Sequence, residues 1–463
     1  MIEQTADVRA SLEAIPIPRR RGLLLSERKL LLAAGDVGLV ALSLVVAFNL
    51  RTGQVEHTGF AVPWAALTTI VVIWLGVAHM VDAYNLRDAM LARGIFRAVA
   101  STITLATVAL LAVFFVFPYS ITRPTILIWL ALAAVCVLSW RLVYRQVFAH
   151  AFFAGRMALV ADRDVLERTW PDVGRHLAGL YRIVGVVDPR RPDCIARLRA
   201  TVANRQADQI VVGMRGDLPE DLFGELVSSY DRGVVVRSLA DLVEELTGRL
   251  LLDQLGQTWL LSLRMRSETS RVYALFKRLV DVSAGALGLL AMSIVIAPVA
   301  LAMLIEDRGP ILHRQTRLGQ YGHPFDILKL RTMRVDRSPS LQWAENADPR
   351  ITRVGRVLRR LHLDELPQAW NVLRGHMSVV GPRPEQPHYV EQLRAVIPYY
   401  DTRLSVRPGL TGWAQVNYGY GSGIDGARIK LSYDLYYIKR QSAALDLLIL
   451  ARTVLAVAAL RGR

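Results

Sequence analysis

Five stretches of this chain run for the width of a bilayer's hydrocarbon layer with almost no charge, and that pattern limits the fold more than any other feature. Four fall in the first third, at roughly Leu30–Leu50, Val62–Val81, Ala98–Phe117 and Thr125–Val143. About 20 apolar residues in a helix rise some 30 Å, enough to cross. The charges around them are one-sided. Arg19, Arg20, Arg21, Arg28 and Lys29 precede the first stretch, Arg87, Arg93 and Arg97 separate the second from the third, and Arg141 and Arg145 close the fourth. The other two loops hold only Arg51 and Arg123. Basic loops stay in the cytoplasm, so a four-helix transmembrane bundle with both ends cytoplasmic is expected. Asp36 is the one carboxylate well inside a span. Such an acid is a candidate functional group, and packing against a neighbouring helix is the plainer reading.

At 463 residues, 52% hydrophobic and with a net charge of +16, the chain is both greasy and basic. That combination points to anionic headgroups or phosphorylated substrates. It does not point to nucleic acid, because no helix-turn-helix, zinc pattern or aromatic RNA-binding strand is present. The two cysteines, Cys136 and Cys194, fall in different expected domains, which excludes a disulfide framework. The first apolar run begins only near Leu30 and lacks a small-residue cleavage site, so it does not read as a cleaved signal peptide.

From about Gly155 short apolar runs alternate with amphipathic segments. Met157–Ala161, Ile183–Val187, Gln209–Gly213 and Val234–Val236 read as strands of a small parallel α/β domain. A dinucleotide site would need glycines after the first strand. Ala161-Asp162-Arg163-Asp164 stands there instead and puts two acids where phosphates would lie, so a structural or regulatory role is expected. The polar run Arg264–Ser270 reads as the junction to the last domain.

The fifth apolar segment, Val282–Ile305, is long enough to cross, but crossing would carry Arg308, Arg314, Arg317, Lys329, Arg331 and Arg334 to the outer face. Pro298 offers a different course. It removes an amide and disfavours helical geometry at Ala297, so a helix broken at Ala297-Pro298 would enter one leaflet and return. An ordinary span with a proline kink is the alternative.

Four motifs follow: Lys329-Leu330-Arg331-Thr332-Met333, after an expected strand Phe325–Leu328; His362-Leu363-Asp364-Glu365-Leu366-Pro367-Gln368; Val380-Gly381-Pro382-Arg383-Pro384; and Arg407-Pro408-Gly409-Leu410-Thr411-Gly412-Trp413-Ala414-Gln415-Val416-Asn417. Pro367 is tolerated in a first helical turn, so a helix is expected to begin near Leu363 or Asp364. Two acids at such an end can hold Mg²⁺, Asp364 can act as a nucleophile towards phosphorus, or Asp364 can simply cap the helix. Arg359 lies one turn earlier and matches phosphate oxygens, although its neighbours Arg353, Arg356 and Arg360 also fit a solvated face. Prolines on both sides of Arg383 fix its guanidinium in one place. Lys329, Arg331, Arg407 and Gln415 are further candidates for phosphate or nucleotide contacts, with packing the alternative for the last two.

Together with Lys277-Arg278, these motifs resemble in order and spacing the bacterial sugar transferase domain of monotopic phosphoglycosyl transferases, over about Tyr273 to Arg461. The family often has Ser-Pro where this chain has Ala297-Pro298. The resemblance implies transfer of a sugar 1-phosphate from a UDP-sugar to polyprenyl (undecaprenyl) phosphate as the first step of surface polysaccharide assembly. Asp364 would form a covalent sugar-phosphoryl intermediate with release of UMP. Glu365 would act as base or metal ligand with Mg²⁺ as cofactor, and Arg359 and Arg383 would hold phosphate or nucleotide. Inner-membrane lipid, downstream glycosyltransferases and a homodimer are the implied partners.

The expected architecture is membrane α plus α/β. A cytoplasmic tail (1–28) leads into a four-helix transmembrane bundle (29–149). A Rossmann-like domain without the glycine fingerprint (150–250) and a linker (251–270) follow. The catalytic domain (271–463) is mixed but mostly helical, with its re-entrant helix at 278–305. The middle and catalytic domains would face the cytoplasm at the bacterial inner membrane. Two rivals remain: a membrane-anchored nucleotide-sugar modifier using the middle domain, and a non-catalytic scaffold.

Overall fold

The structure, a computed structural model, describes residues 25–52, 64–116, 123–148, 154–177, 180–205, 207–214, 216, 218–255, 271–334, 350–419, 421 and 423–458. Most of the expected N-terminal tail and linker, including Arg19–Arg21 and Arg264–Ser270, lies outside the described residues. The chain divides into two compact units, residues 1–247 and 248–463.

In the first unit the apolar stretches form helices α1 (Leu25–Thr52), α2 (Trp64–Met80), α4 (Ala92–Val116) and α5 (Arg123–Phe148), with a short α3 (Leu86–Met90) before α4. α1, α4 and α5 are long and apolar enough to cross a membrane, and α2 is a 17-residue apolar helix. Val40, Leu44, Ile70, Trp74, Trp129 and Val137 meet in the bundle core. Asp36 takes the packing role. Its carboxylate pairs with Arg141, which also donates to the Ala83 carbonyl at 2.8 Å, and both side chains are buried.

The middle segment is a parallel sheet of β1 (Gly155–Ala161), β2 (Tyr181–Val187), β3 (Gln209–Gly213) and β4 (Val235–Ser238), ordered β2-β1-β3-β4. Helices α6 (Arg163–Leu177), α7 (Cys194–Arg205) and α8 (Glu220–Asp231) connect the strands, and α9 (Leu239–Thr247) follows. Asp162, directly after β1, is buried and paired with Arg190 at 3.2 Å, so the position a phosphate would need is taken by an ion pair.

The second unit begins earlier than the sequence suggested. Leu250 is buried in its core, and the Gly248 carbonyl accepts from Trp413 Nε1 at 2.7 Å. Residues 248–255 therefore pack with this unit and neither close the middle domain nor begin a free linker. The fifth apolar segment is α10 (Arg271–Glu306), 36 residues with Pro298 inside. The expected non-helical break at Ala297-Pro298 is absent, because the helix continues through the proline. β5 (Leu312–Leu318) and β6 (Pro324–Leu330) form an antiparallel pair. α11 (Arg353–Arg360), a 3₁₀ turn at Leu363–Glu365, α12 (Gln368–Leu373), β7 (Ser378–Val380) and α13 (Pro387–Val396) follow. β8 (Gly409–Thr411), α14 (Trp413–Asn417), α15 (Gly423–Arg440) and α16 (Ala443–Ala458) complete it.

α10 touches this unit along one stripe at helical spacing. Lys277 Nζ donates to the Val380 carbonyl (2.9 Å), Tyr437 Oη (3.0 Å) and Asp446 (2.9 Å). Arg278 donates to the Val372 and Leu373 carbonyls (3.1 and 2.8 Å) at the C-terminal end of α12, where those acceptors lack helical partners. Asp281 accepts from Ser378 Oγ and the Val379 amide. Gly285 and Gly288 let α12 approach closely, since a Cβ on either would press on Leu373 or Ala369. Further along, Ile296, Val299 and Met303 pack with Leu330, Leu358 and Leu363. Glu306 accepts from the amides of Arg353 and Val354, the start of α11. The other face of α10, with Val272, Leu275, Leu279, Leu287, Leu290, Ile294, Leu301 and Ile305, is exposed.

Candidate active site

Asp364 and Glu365 lie in the 3₁₀ turn between α11 and α12. The expected helix start at Leu363 or Asp364 is displaced by four to five residues, because α12 begins at Gln368 with Pro367 as its cap and without a side-chain capping bond. Asp364 is therefore not a helix cap, and the capping alternative fails. His362, just before the turn, has φ 56° and ψ 19°. A left-handed residue other than glycine costs of order 1 kcal/mol and is held by its surroundings. The reversal it makes directs the two following acids back towards β6. α12 ends on Gly375 at φ 80°, where the His376 amide reaches the Asn371 carbonyl at 3.1 Å and closes the helix as glycine permits.

The turn faces two cations. Glu365 Oε1 accepts from Lys329 Nζ on β6 and from Arg383 Nη2, each at 3.0 Å. Asp364 is 5% exposed and close enough to Lys329 to act on its charge. Burial pushes the Lys329 ammonium below the ordinary lysine value. Glu365 opposes that shift, and the neighbouring Arg383 adds to it. Arg383 keeps 36% of its side chain exposed, so the cluster opens to solvent through a guanidinium.

The third and fourth motifs meet backbone to backbone. β7 and β8 run parallel, the Gly381 amide donates to Thr411 O, and the Gly409 amide donates to Pro382 O, both at 2.8 Å. A Cβ on Gly381 would strike the Arg407 carbonyl, which explains the glycine. Arg403 Nη2 then donates to the Arg383 carbonyl at 2.9 Å, and Arg317 Nη1 to the Pro384 carbonyl at 3.2 Å. Arg403 is itself buried against Asp434 and Tyr400. The backbone at Arg383 is thus held by its prolines, a parallel strand pair and two further arginines, while its guanidinium rests on Glu365.

Of the residues singled out in the sequence, Asp364, Glu365, Lys329 and Arg383 come together. Arg359, in the last turn of α11, is half-buried and makes no side-chain hydrogen bond or ion pair among the described residues. Arg331 is not part of the cluster. Its guanidinium is engaged by Asp307 and by the Pro310 carbonyl, where it fastens the chain leaving α10. Gln415 braces its own turn by donating to the Leu410 carbonyl at 3.1 Å, and Arg407 is half-buried near Asp281. Sequence reasoning missed Arg317, Arg403 and His313, the last opposite Lys329 in the strand register. No motif or spacing marks them, because the contacts that tie Arg317 and Arg403 to the Arg383 loop reach 67 and 20 positions along the chain.

Residues 272–459 match the family model described as bacterial sugar transferase. A UDP-N-acetylgalactosamine-undecaprenyl-phosphate N-acetylgalactosaminephosphotransferase from Aeromonas hydrophila is 40% identical over 252 residues, 53% of this chain and 58% of that protein. A UDP-glucose:undecaprenyl-phosphate glucose-1-phosphate transferase from Caulobacter vibrioides is 46% identical over 202 residues, 42% of this chain and 75% of that protein. An exopolysaccharide production protein from Rhizobium leguminosarum is 39% identical over 191 residues, 38% of this chain and 92% of that protein. The chain thus spans less than two thirds of the Aeromonas relative.

Proposed function

The chain belongs to the bacterial sugar transferase family, and from that premise we propose that it transfers a sugar 1-phosphate from a UDP-sugar to polyprenyl phosphate. The reaction would open surface polysaccharide assembly on the cytoplasmic face of the inner membrane. The observation that carries the reading is the pair Asp364-Glu365 held in a tight turn against Lys329 and Arg383.

In the first step a carboxylate oxygen of Asp364 attacks the β-phosphorus. The bond from that phosphorus to the bridging oxygen breaks, and UMP leaves with the bridging oxygen. In the second step an oxygen of polyprenyl phosphate attacks the same phosphorus and the carboxylate departs, leaving a diphosphate-linked lipid sugar. Phosphoryl transfer needs positioning and charge neutralisation above all. Arg383 and Arg359 provide guanidinium groups for the diphosphate. Glu365 holds Lys329 and Arg383 in register, so that positive charge stands where negative charge gathers. Asp364 and Glu365 also suit Mg²⁺, which takes one or two carboxylates and completes its ligands with phosphates and water. No cluster of three or more acidic, His or Cys ligands occurs among the described residues. The ion would supply charge neutralisation on the diphosphate.

The course of α10 supports a helix that enters the cytoplasmic leaflet without crossing it. Contacts with the second unit occur from Lys277 to Gly288 and again from Ile296 to Glu306. Residues 289–295 between them span roughly 10 Å at 1.5 Å per residue, whereas a crossing needs about 30 Å free of that unit. A helix with one apolar face exposed and the other packed on its own domain fits a position in the lipid surface. The Asp364 turn then lies near headgroup level, where a soluble donor and a lipid acceptor can use it in succession.

The test is to trap the full chain in membranes with a panel of β-³²P-labelled UDP-sugars and map the labelled peptide. A phosphosugar on the Asp364 peptide, absent in Asp364→Asn, is expected. UMP release at full rate in Asp364→Asn would end the proposal. Labelling of an introduced cysteine beside Asp364 from the periplasmic side would end the topology.

A further inference from the structure

A cavity of about 570 Å³ opens in the second unit away from Asp364, and the mechanism above does not use it. Arg314, His323, Arg374 and His376 line it with Trp370, and one acid, Asp326, stands at its wall. The volume is that of a small-molecule pocket. Its four basic side chains make no hydrogen bond or ion pair among the described residues, whereas Asp326 already accepts from Thr316 Oγ1 at 2.9 Å. Arg374 lies over the Trp370 ring, 4.8 Å from its centroid, and Trp370 is 42% exposed. Strand geometry keeps the cavity apart from the carboxylates. Arg314 and Leu328 are register partners and line the cavity, while the adjacent pair His313 and Lys329 points to the other face of the hairpin.

The position of the cavity selects its ligand. α12 carries Trp370 towards the cavity and packs Ala369 and Leu373 against Gly285 and Gly288 of the apolar helix. Arg278, at the head of that helix, reaches to within 3.9 Å of where a Cβ on Gly375 would stand, and Gly375 lines the same cavity. Tryptophan and arginine beside a lipid-facing helix mark the headgroup layer, and unpaired guanidinium groups there match phosphate. We propose that this cavity is a second phosphate site, which holds the headgroup of a membrane lipid phosphate on the hairpin face opposite the carboxylates. The proposal rests on the lipid-surface placement of α10 and needs no chemistry at Asp364.

The experiment uses the detergent-purified full chain, the double variant Arg314→Gln/Arg374→Gln and the charge-keeping Arg314→Lys/Arg374→Lys. Native mass spectrometry follows retention of farnesyl phosphate, dioleoyl phosphatidylglycerol, UMP and inorganic phosphate. The glutamine variant should lose lipid phosphate at least tenfold, and the lysine variant should keep most of it. Selective loss of farnesyl phosphate identifies the prenyl acceptor as the ligand, and equal loss of phosphatidylglycerol identifies bulk anionic lipid; both support the site. Unchanged lipid retention in the glutamine variant, or binding of UMP and inorganic phosphate alone, overturns it. In turnover assays the glutamine variant should raise the KM for prenyl phosphate and leave the KM for UDP-sugar and the UMP burst unchanged. Because the binding arm needs no turnover, failure of the proposed reaction would appear separately, as activity retained in Asp364→Asn.

Discussion

The ionic clusters around Asp36 in the bundle and around Glu365 in the second unit are built to opposite ends. In the bundle Asp36 and Arg141 form a closed pair, 0% and 2% exposed, whose remaining guanidinium capacity goes to the Ala83 carbonyl. In the second unit one carboxylate oxygen of Glu365 serves two cations, and one of these, Arg383, remains 36% exposed. A closed pair satisfies itself and fixes how helices pack. An open cluster keeps one of its cations in contact with solvent, which is what an incoming phosphate requires. The contrast teaches that burial of charge alone does not single out a candidate site; access to solvent does.

The comparison can be broken at either end. The largest effect is expected from Asp364→Asn, with UMP release down roughly 10⁴-fold or more and an unchanged melting temperature of the purified chain. Next, Glu365→Gln should cost about 10²–10³-fold in turnover, because it releases Lys329 and Arg383 from one another. A fall in stability in place of activity would make this cluster structural, like the other. Asp36→Asn should behave in reverse. It leaves Arg141 buried without its counter-charge, so a loss of about 3–5 kcal/mol in stability is expected, with UMP release per folded molecule unchanged.

The smallest effect concerns pH. Since Lys329 titrates below the ordinary lysine value, the site should lose a positive charge as pH rises, and donor turnover should fall on the alkaline limb. Between the folded value and that of free lysine the unfolded chain holds more protons at this position, so stability rises with pH while activity falls. Lys329→Arg should flatten both trends. An alkaline limb unchanged in that variant would remove Lys329 from the cluster's function.

Much of the fold was legible because its signals are local. The apolar runs, the β1 to β4 rhythm and the missing glycine loop each sit within a short window, and period and composition suffice to read them. The acid pair and Arg383 stood out because turn prolines and adjacent charges mark them, and the structure brings them together. Arg331 misled, since Lys-Leu-Arg places it two residues from Lys329 and therefore on the same side of the strand. Its guanidinium instead turns to Asp307, 24 positions earlier in the chain. The helix start was misplaced because Pro367 is equally at home as a cap, and the left-handed His362 lets a 3₁₀ turn intervene.

The sequence by itself determined which segments are apolar enough to enter a membrane, which alternate into a parallel sheet, and where acids and prolines mark tight turns. Those are properties of side chains and their spacing along one strand or helix. Only the tertiary structure decided that α10 runs unbroken through Pro298, that Glu365 is shared between Lys329 and Arg383, and that Arg317 and Arg403 secure the Arg383 loop. These outcomes depend on which distant carbonyls and carboxylates are left without partners once the core has closed, and no local window contains that information.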